Sequence, residues 1–112
     1  MGAINKNFKL KGRSDKTYTF QLYTLDSDFT PIGGGIYVFV KLSNNQEKFN
    51  KIYCGKAEVF SARFQNHHKQ DEIDKYMANA IGILTEDSDP ARTEIEIDIL
   101  EGNDFPCNDQ HN

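Results

Sequence analysis

The chain has 112 residues, which suits one domain with a single modest core and leaves no room for a second. Its 38% hydrophobic and 27% charged residues describe a soluble globular chain, and no apolar run reaches the length of a membrane span or signal-peptide core; the expected location is cytoplasmic, with no membrane partner. The formal net charge of −4 counts against a strong sequence-independent grip on nucleic acid, a cost softened only if basic residues gather on one face, as Lys9, Lys11, Arg13 and Lys16 with Lys51, Lys56, Arg63 and Lys69 could do.

Met1 to Lys16 is polar and basic with little periodicity, and its first residues are expected to fray. Thr17 to Tyr23 alternates, with Tyr18, Phe20 and Leu22 on one side and Thr17, Thr19 and Gln21 on the other, which predicts a half-buried strand. A loop through Asp26, Ser27, Asp28 and Pro31 leads into Gly33, Gly34 and Gly35, where glycine permits a tight approach to the next strand. Ile36 to Leu42 is rich in β-branched and aromatic residues, Ser43 to Glu47 is a turn cluster, and Asn50 to Cys54 returns as a second strand. Period two puts Tyr37 and Phe39 on the face opposite Ile36, Val38 and Val40. Gly55 is expected to end that strand and Lys56 to Phe64 to begin a helix. A second helix follows with Ile73, Met77 and Ala80 at helical spacing, then a core strand from Ile81 to Thr85. Cys54 and Cys107 are too few for a disulfide scaffold and have no metal-ligand spacing, so both are expected as free thiols in or near the core.

Thr93 to Glu101 carries two conflicting signals. Its strict alternation suggests a strand, whereas Asp89 as N-cap, Pro90 at the first helical position and Gly102 just past the end argue for a helix, which is our choice. On that helix Ala91, Ile95 and Ile99 form a stripe, with Glu96 on the inward arc and Glu94, Asp98 and Glu101 facing solvent. A carboxylate on the apolar side is costly unless a cation meets it, so Glu96 is the functional candidate among these acids.

Gly35-Ile36-Tyr37, then Tyr53-Cys54-Gly55-Lys56-Ala57 and Arg63, resembles the GIY-YIG nuclease family, with Cys54 where the family usually has an aliphatic residue. Arg63 lies ten positions after Tyr53 and Asn108 twelve after Glu96, both spacings typical of the family; the sixteen positions between Tyr37 and Tyr53 exceed the usual gap, and the surplus falls in the polar connection. The likeness spans roughly Gly33 to Asn108. It implies an α/β fold in three layers, a small central, mostly antiparallel sheet flanked by helices, with an extra N-terminal strand: residues 1–32 form the extension and 33–112 the nuclease-like core of one compact domain.

The resemblance implies a metal-dependent endonuclease that hydrolyses phosphodiester bonds, of DNA in the first instance, leaving a 5′-phosphate. Glu96 would hold one divalent cation, Mg2+ or Mn2+, with waters as its other ligands. Arg63 would contact phosphate oxygens, Tyr37 would take a proton from the attacking water helped by Lys56, and Tyr53 would orient that group. His67, four residues beyond Arg63, matches a position the family fills with tyrosine or histidine, and Asn108 would hold the site together from behind. Taken singly, the tyrosines are ordinary strand aromatics, Lys56 and Arg63 solvated helix charges, His68 a surface residue and Asn108 a turn closer; their co-occurrence favours the site. With no separate recognition domain expected, sequence selectivity would be weak, or would depend on a protein partner or a homodimer. Two other readings stay open: a non-catalytic nucleic-acid or protein interaction module on the same fold, and an unrelated α/β domain in which Tyr37, Arg63 and Glu96 do not converge.

Overall fold

Eight elements follow one another along the chain: β1 (Ala3–Lys11), β2 (Thr17–Thr24), β3 (Gly35–Leu42), β4 (Phe49–Ala57), α1 (Phe60–Gln65), α2 (Gln70–Lys75), β5 (Ala80–Thr85) and α3 (Asp89–Gly102). They are seen in a computed structural model that describes residues 3–29, 32–44, 48–65 and 70–108, without the side chains of residues 3–5, 65 and 72. The five strands form one sheet in the order β1-β2-β5-β3-β4, and every pairing is antiparallel.

The sheet is curled; one face is buried across all five strands, and the other is covered over β3, β4 and β5 but open at β1 and β2, where Asn7, Lys9, Lys11, Thr17 and Thr19 are exposed. On one face Phe8, Phe20, Leu22, Ile36, Val38, Val40 and Cys54 pack with Ile99 of α3 and with Phe105. On the other, Tyr37, Phe39, Tyr53, Ile81 and Ile83 pack with Phe60 and Ile73 of the two short helices. The alternation read from β3 is therefore the observed one, and its continuous apolar run reflects a strand covered on both sides. Phe8 on β1 and Phe49 on β4 belong to the two edge strands, yet their ring centroids are 4.5 Å apart across the concave face. Gly82 on β5 makes room for this, since a Cβ there would overlap the Phe8 ring. Among the described residues no helix is long and apolar enough to cross a membrane.

Several expectations are corrected. The N-terminal segment is a strand: Phe8 and Leu10 of β1 are buried at period two and pair with Phe20 and Tyr18, so the extension supplies two strands instead of one. Its pattern is masked in the sequence by the lysines at alternate positions on the outer face. β4 does not stop at Gly55 but runs to Ala57, and α1 begins only at Phe60, so Lys56 is a strand residue. A bulge in β4 sets Phe39 opposite Tyr53 and Val40 opposite Lys51; the extra residue, Ile52, therefore shares the Tyr53 face. α2 ends at Lys75: Met77 takes a left-handed backbone (φ 62°) and is exposed, and Ala80 belongs to β5. The N-cap of α3 is Ser88, whose hydroxyl accepts from the Ala91 amide, and Asp89 and Pro90 follow inside the helix. The choice of helix for α3 agrees with the structure, as do the strands at Thr17–Thr24 and Ala80–Thr85. Cys54 and Cys107 are free and buried.

Asp98 does not belong to a solvated face. Its carboxylate accepts from the Ser14 amide (2.9 Å), the Ser14 hydroxyl (2.7 Å) and the Tyr18 hydroxyl (2.7 Å), while its backbone carbonyl accepts from the Arg13 amide (3.0 Å). These bonds fasten the β1–β2 turn to α3. Ser14, followed by Tyr18, holds the Asp98 carboxyl below its usual range, and burial together with the Asp98 bond pushes Tyr18 up to about 12.

A candidate active site at the β4 edge

Tyr37 on β3 is fully buried and pairs across the ladder with Gly55 on β4. Its ring lies over that glycine: a Cβ at position 55 would stand 2.5 Å from the Tyr37 hydroxyl oxygen and 3.0 Å from the Tyr53 ring. The missing side chain lets the two tyrosines meet, with ring centroids 6.0 Å apart and hydroxyls hydrogen-bonded to each other. Phe64 of α1 meets Tyr37 edge-on (5.0 Å, 88°) and Phe39 does so from the neighbouring position (5.8 Å, 84°), so the phenol is clamped.

Around this pair stand groups from three other elements. Burial raises the Tyr37 hydroxyl far above the ordinary phenol value, and the adjacent Tyr53 adds to the rise; the Arg63 guanidinium from α1 opposes it. Tyr53 is raised by burial and then by the Glu96 carboxylate from α3. Glu96 is half-buried, and that burial lifts its carboxyl above the usual range against the pull of Lys56 and Arg63. The Cys54 thiol is raised by burial and then by the same Glu96 carboxylate. Tyr53 and Arg63 are thus within electrostatic reach of both Tyr37 and Glu96, and Lys56 within reach of Glu96. Arg63 is exposed, free to meet a ligand from solvent.

Lys56 is directed differently from the sequence expectation. As a strand residue it points to the α3 side, donating to Thr93 Oγ1 (2.7 Å) with Asp89 Oδ1 at 3.9 Å, and the cation that acts on Tyr37 is Arg63. Asn108 is buried behind β4: its Oδ1 accepts from the Cys54 amide (2.8 Å) and its Nδ2 donates to the Cys54 carbonyl (2.9 Å). With the Cys107 amide on the Ile52 carbonyl (3.0 Å), this covers the free edge of β4 just beside Tyr53 and Gly55. His67 lies outside the described residues.

Among the described residues no three His, Cys, Asp or Glu side chains gather as a metal cage. The donor set at Glu96 is one hard carboxylate, which suits a cation that keeps most of its waters, as Mg2+ does, and fits neither zinc nor a calcium cage. The neighbouring Lys56 and Arg63 act against a lone cation there and complement the anionic substrate that would accompany it.

An open groove of about 470 Å3 adjoins the cluster, sharing Lys56 and Arg63 with it and adding Arg92, Glu58 and Asp89. Arg92 is an addition that the sequence did not single out. It is 7% exposed, and its Nη1 donates to the carbonyls of Glu86 (2.8 Å) and Asp87 (3.1 Å). Its spacing of four before Glu96 on one helix was the available signal. No family model, no curated protein and no solved structure matches this chain.

Proposed function

We propose that the chain is a metal-dependent endonuclease of the GIY-YIG kind, hydrolysing phosphodiester bonds of DNA by attack of an activated water. The observation that supports this reading is that Tyr37 (β3) and Tyr53 (β4), with ring centroids 6.0 Å apart, stand near Arg63 (α1), and that Tyr53 and Arg63 also stand near Glu96 (α3), 59 positions after Tyr37.

In this reading Arg63 takes the scissile phosphate, its exposed fork of donors matching the phosphate oxygens. Lys56, fixed by Thr93 at the mouth of the groove, adds a second positive charge on the phosphate path. Tyr37, whose hydroxyl is fully buried in the free chain, receives the proton of the attacking water once substrate binding admits that water to it. Because burial keeps the free phenol protonated at neutral pH, Tyr37 can receive the water's proton only as the minor phenolate, its own proton having gone first to base in solvent, while Tyr53 stays protonated and orients it through their hydrogen bond. Glu96 would hold the divalent cation, Mg2+ or Mn2+, which when bound supplies charge stabilisation at the phosphoryl group and leaving oxygen. Asn108 keeps the Cys54 peptide, and with it Tyr53 and Gly55, in place.

The test is cleavage of supercoiled plasmid, branched DNA and single-stranded DNA with magnesium or manganese. Nicking by the wild type that vanishes in Glu96→Ala supports the reading; no cleavage of any substrate at low salt and high enzyme concentration removes it. One observation favours a second reading, an interaction module on the same fold: the chain is acidic overall, and Glu58 and Asp89 share the groove with its cations. A protein-binding module would bind its partner with little of the salt dependence that phosphate contacts impose.

A further inference from the structure

We propose that the groove between β4 and the start of α3 is a second phosphate subsite, taking a backbone phosphate of the nucleic-acid strand next to the one at Arg63, and that the Asp89 carboxylate holds this place in the free chain. The identity of the ligand rests on the nuclease reading; the geometry of the subsite does not.

Three cations, Lys56, Arg63 and Arg92, line the groove against two carboxylates, Glu58 and Asp89, although the chain as a whole carries a net charge of −4. Arg92 is the fixed member. Both hydrogens of Nη1 are engaged by the Glu86 and Asp87 carbonyls, which orient the guanidinium without neutralising it. Its Nη2 has Asp89 Oδ1 at 3.6 Å, and the same oxygen is 3.9 Å from Lys56 Nζ. One carboxylate oxygen therefore stands between an ammonium on β4 and a guanidinium on α3, too far from either for a good hydrogen bond. A phosphate, with more oxygens, can meet a planar fork and a point charge at once.

Asp89 is the easily displaced partner. Its side chain is 61% exposed, whereas that of Arg92 is 8% exposed. The start of α3 is capped by Ser88, so rotation of the Asp89 side chain into solvent does not uncap the helix. An incoming phosphate would take the two cations from it, and the subsite is contiguous with the scissile position because Lys56 and Arg63 belong to both.

The experiment measures binding of fluorescent single-stranded and duplex oligonucleotides by anisotropy, in EDTA so that nothing is cleaved, across a salt series. Asp89→Asn should bind about three- to tenfold more tightly at low salt, with the slope of log K against log salt steeper by about 0.7 for single strands or 0.9 for duplex. Glu58→Gln removes the same charge from the same groove without lying between the two cations, and should change affinity and slope less. Equal effects of the two variants, no effect of Asp89→Asn, or tighter binding of a glutamate-rich peptide than of either oligonucleotide would overturn the subsite. Arg92→Gln should shallow the slope; if it does not fold, the Asp89→Asn and Glu58→Gln pair decides alone. Cleavage separates this inference from the reading beneath it. Nicking that depends on Glu96, with Asp89→Asn binding as wild type does, removes the subsite and leaves the nuclease; tighter binding by Asp89→Asn without any cleavage does the reverse.

Discussion

Gly55 governs the geometry of the tyrosine pair. Adding a methyl there sets a carbon 2.5 Å from the Tyr37 hydroxyl, and the ring, boxed by Phe39 and Phe64, has nowhere to retreat. Gly55→Ala is expected to cost about 1–3 kcal/mol of stability and to lower the cleavage rate by about 100-fold, since misplacement of a reacting group by an ångström has that effect. Thermal unfolding and single-turnover nicking check the two halves. Asn108→Ala strips both hydrogen bonds from the buried Cys54 peptide and should cost about 2 kcal/mol, read in urea; Asn108→Asp, which keeps the acceptor but faces the Cys54 carbonyl with a second oxygen, should not rescue it. The sequence singled out Tyr37, Tyr53 and Arg63 through the resemblance and Glu96 also through its inward place on the helix, and the structure puts Tyr53 and Arg63 close to both of the others. Arg92 was not, because a lone arginine on a helix reads as solvated until the carbonyls that hold it are seen.

At the scale of elements, the helical reading of α3 was decided by its ends: Ser88, Asp89, Pro90 and Gly102 outweigh nine residues of alternation. β1 escaped notice because its sign is two buried residues, Phe8 and Leu10, among lysines, and its partner strand is what makes that pattern a strand. The ends of β4 and α1 were misplaced for a related reason, since the pairing of Gly35 with Ala57 extends the ladder past a glycine that locally signals a stop. The β1–β2 turn grips α3 through Asp98, two residues from Glu96. A carboxyl held below its usual range by native hydrogen bonds contributes stability that is fully present above the unfolded value, near pH 4, and is lost as pH falls through the lower folded value. Asp98→Asn should therefore flatten the acid limb of the stability curve below about pH 4, as followed by circular dichroism. The Tyr18 hydroxyl, held near 12, gives the opposite limb: its contribution stands below about pH 10 and is lost as pH rises to about 12, and Tyr18→Phe should remove that limb.

At the scale of the molecule, a curled antiparallel sheet with α3 on one face and α1 and α2 on the other leaves the β4 edge as the place where both layers meet, and the candidate site lies there. Curl and strand order were invisible in the sequence, because they depend on contacts such as Phe8 with Phe49 that join opposite edges. The buried phenol sets the pH dependence of the proposed reaction: the rate should climb from about pH 6 to about pH 9 without a plateau, since Tyr37 is raised and not lowered. Glu96 adds a test of stability against function. Its raised carboxyl makes the charged form costly in the fold, so stability falls as pH rises from the unfolded value, near 4, toward the folded one. The most direct measurement is therefore Glu96→Gln at neutral pH, with plasmid nicking in magnesium and the thermal midpoint recorded on the same sample. The proposed nuclease predicts a midpoint at or above that of the wild type and no nicking; a folded Glu96→Gln variant that nicks as the wild type does would contradict it.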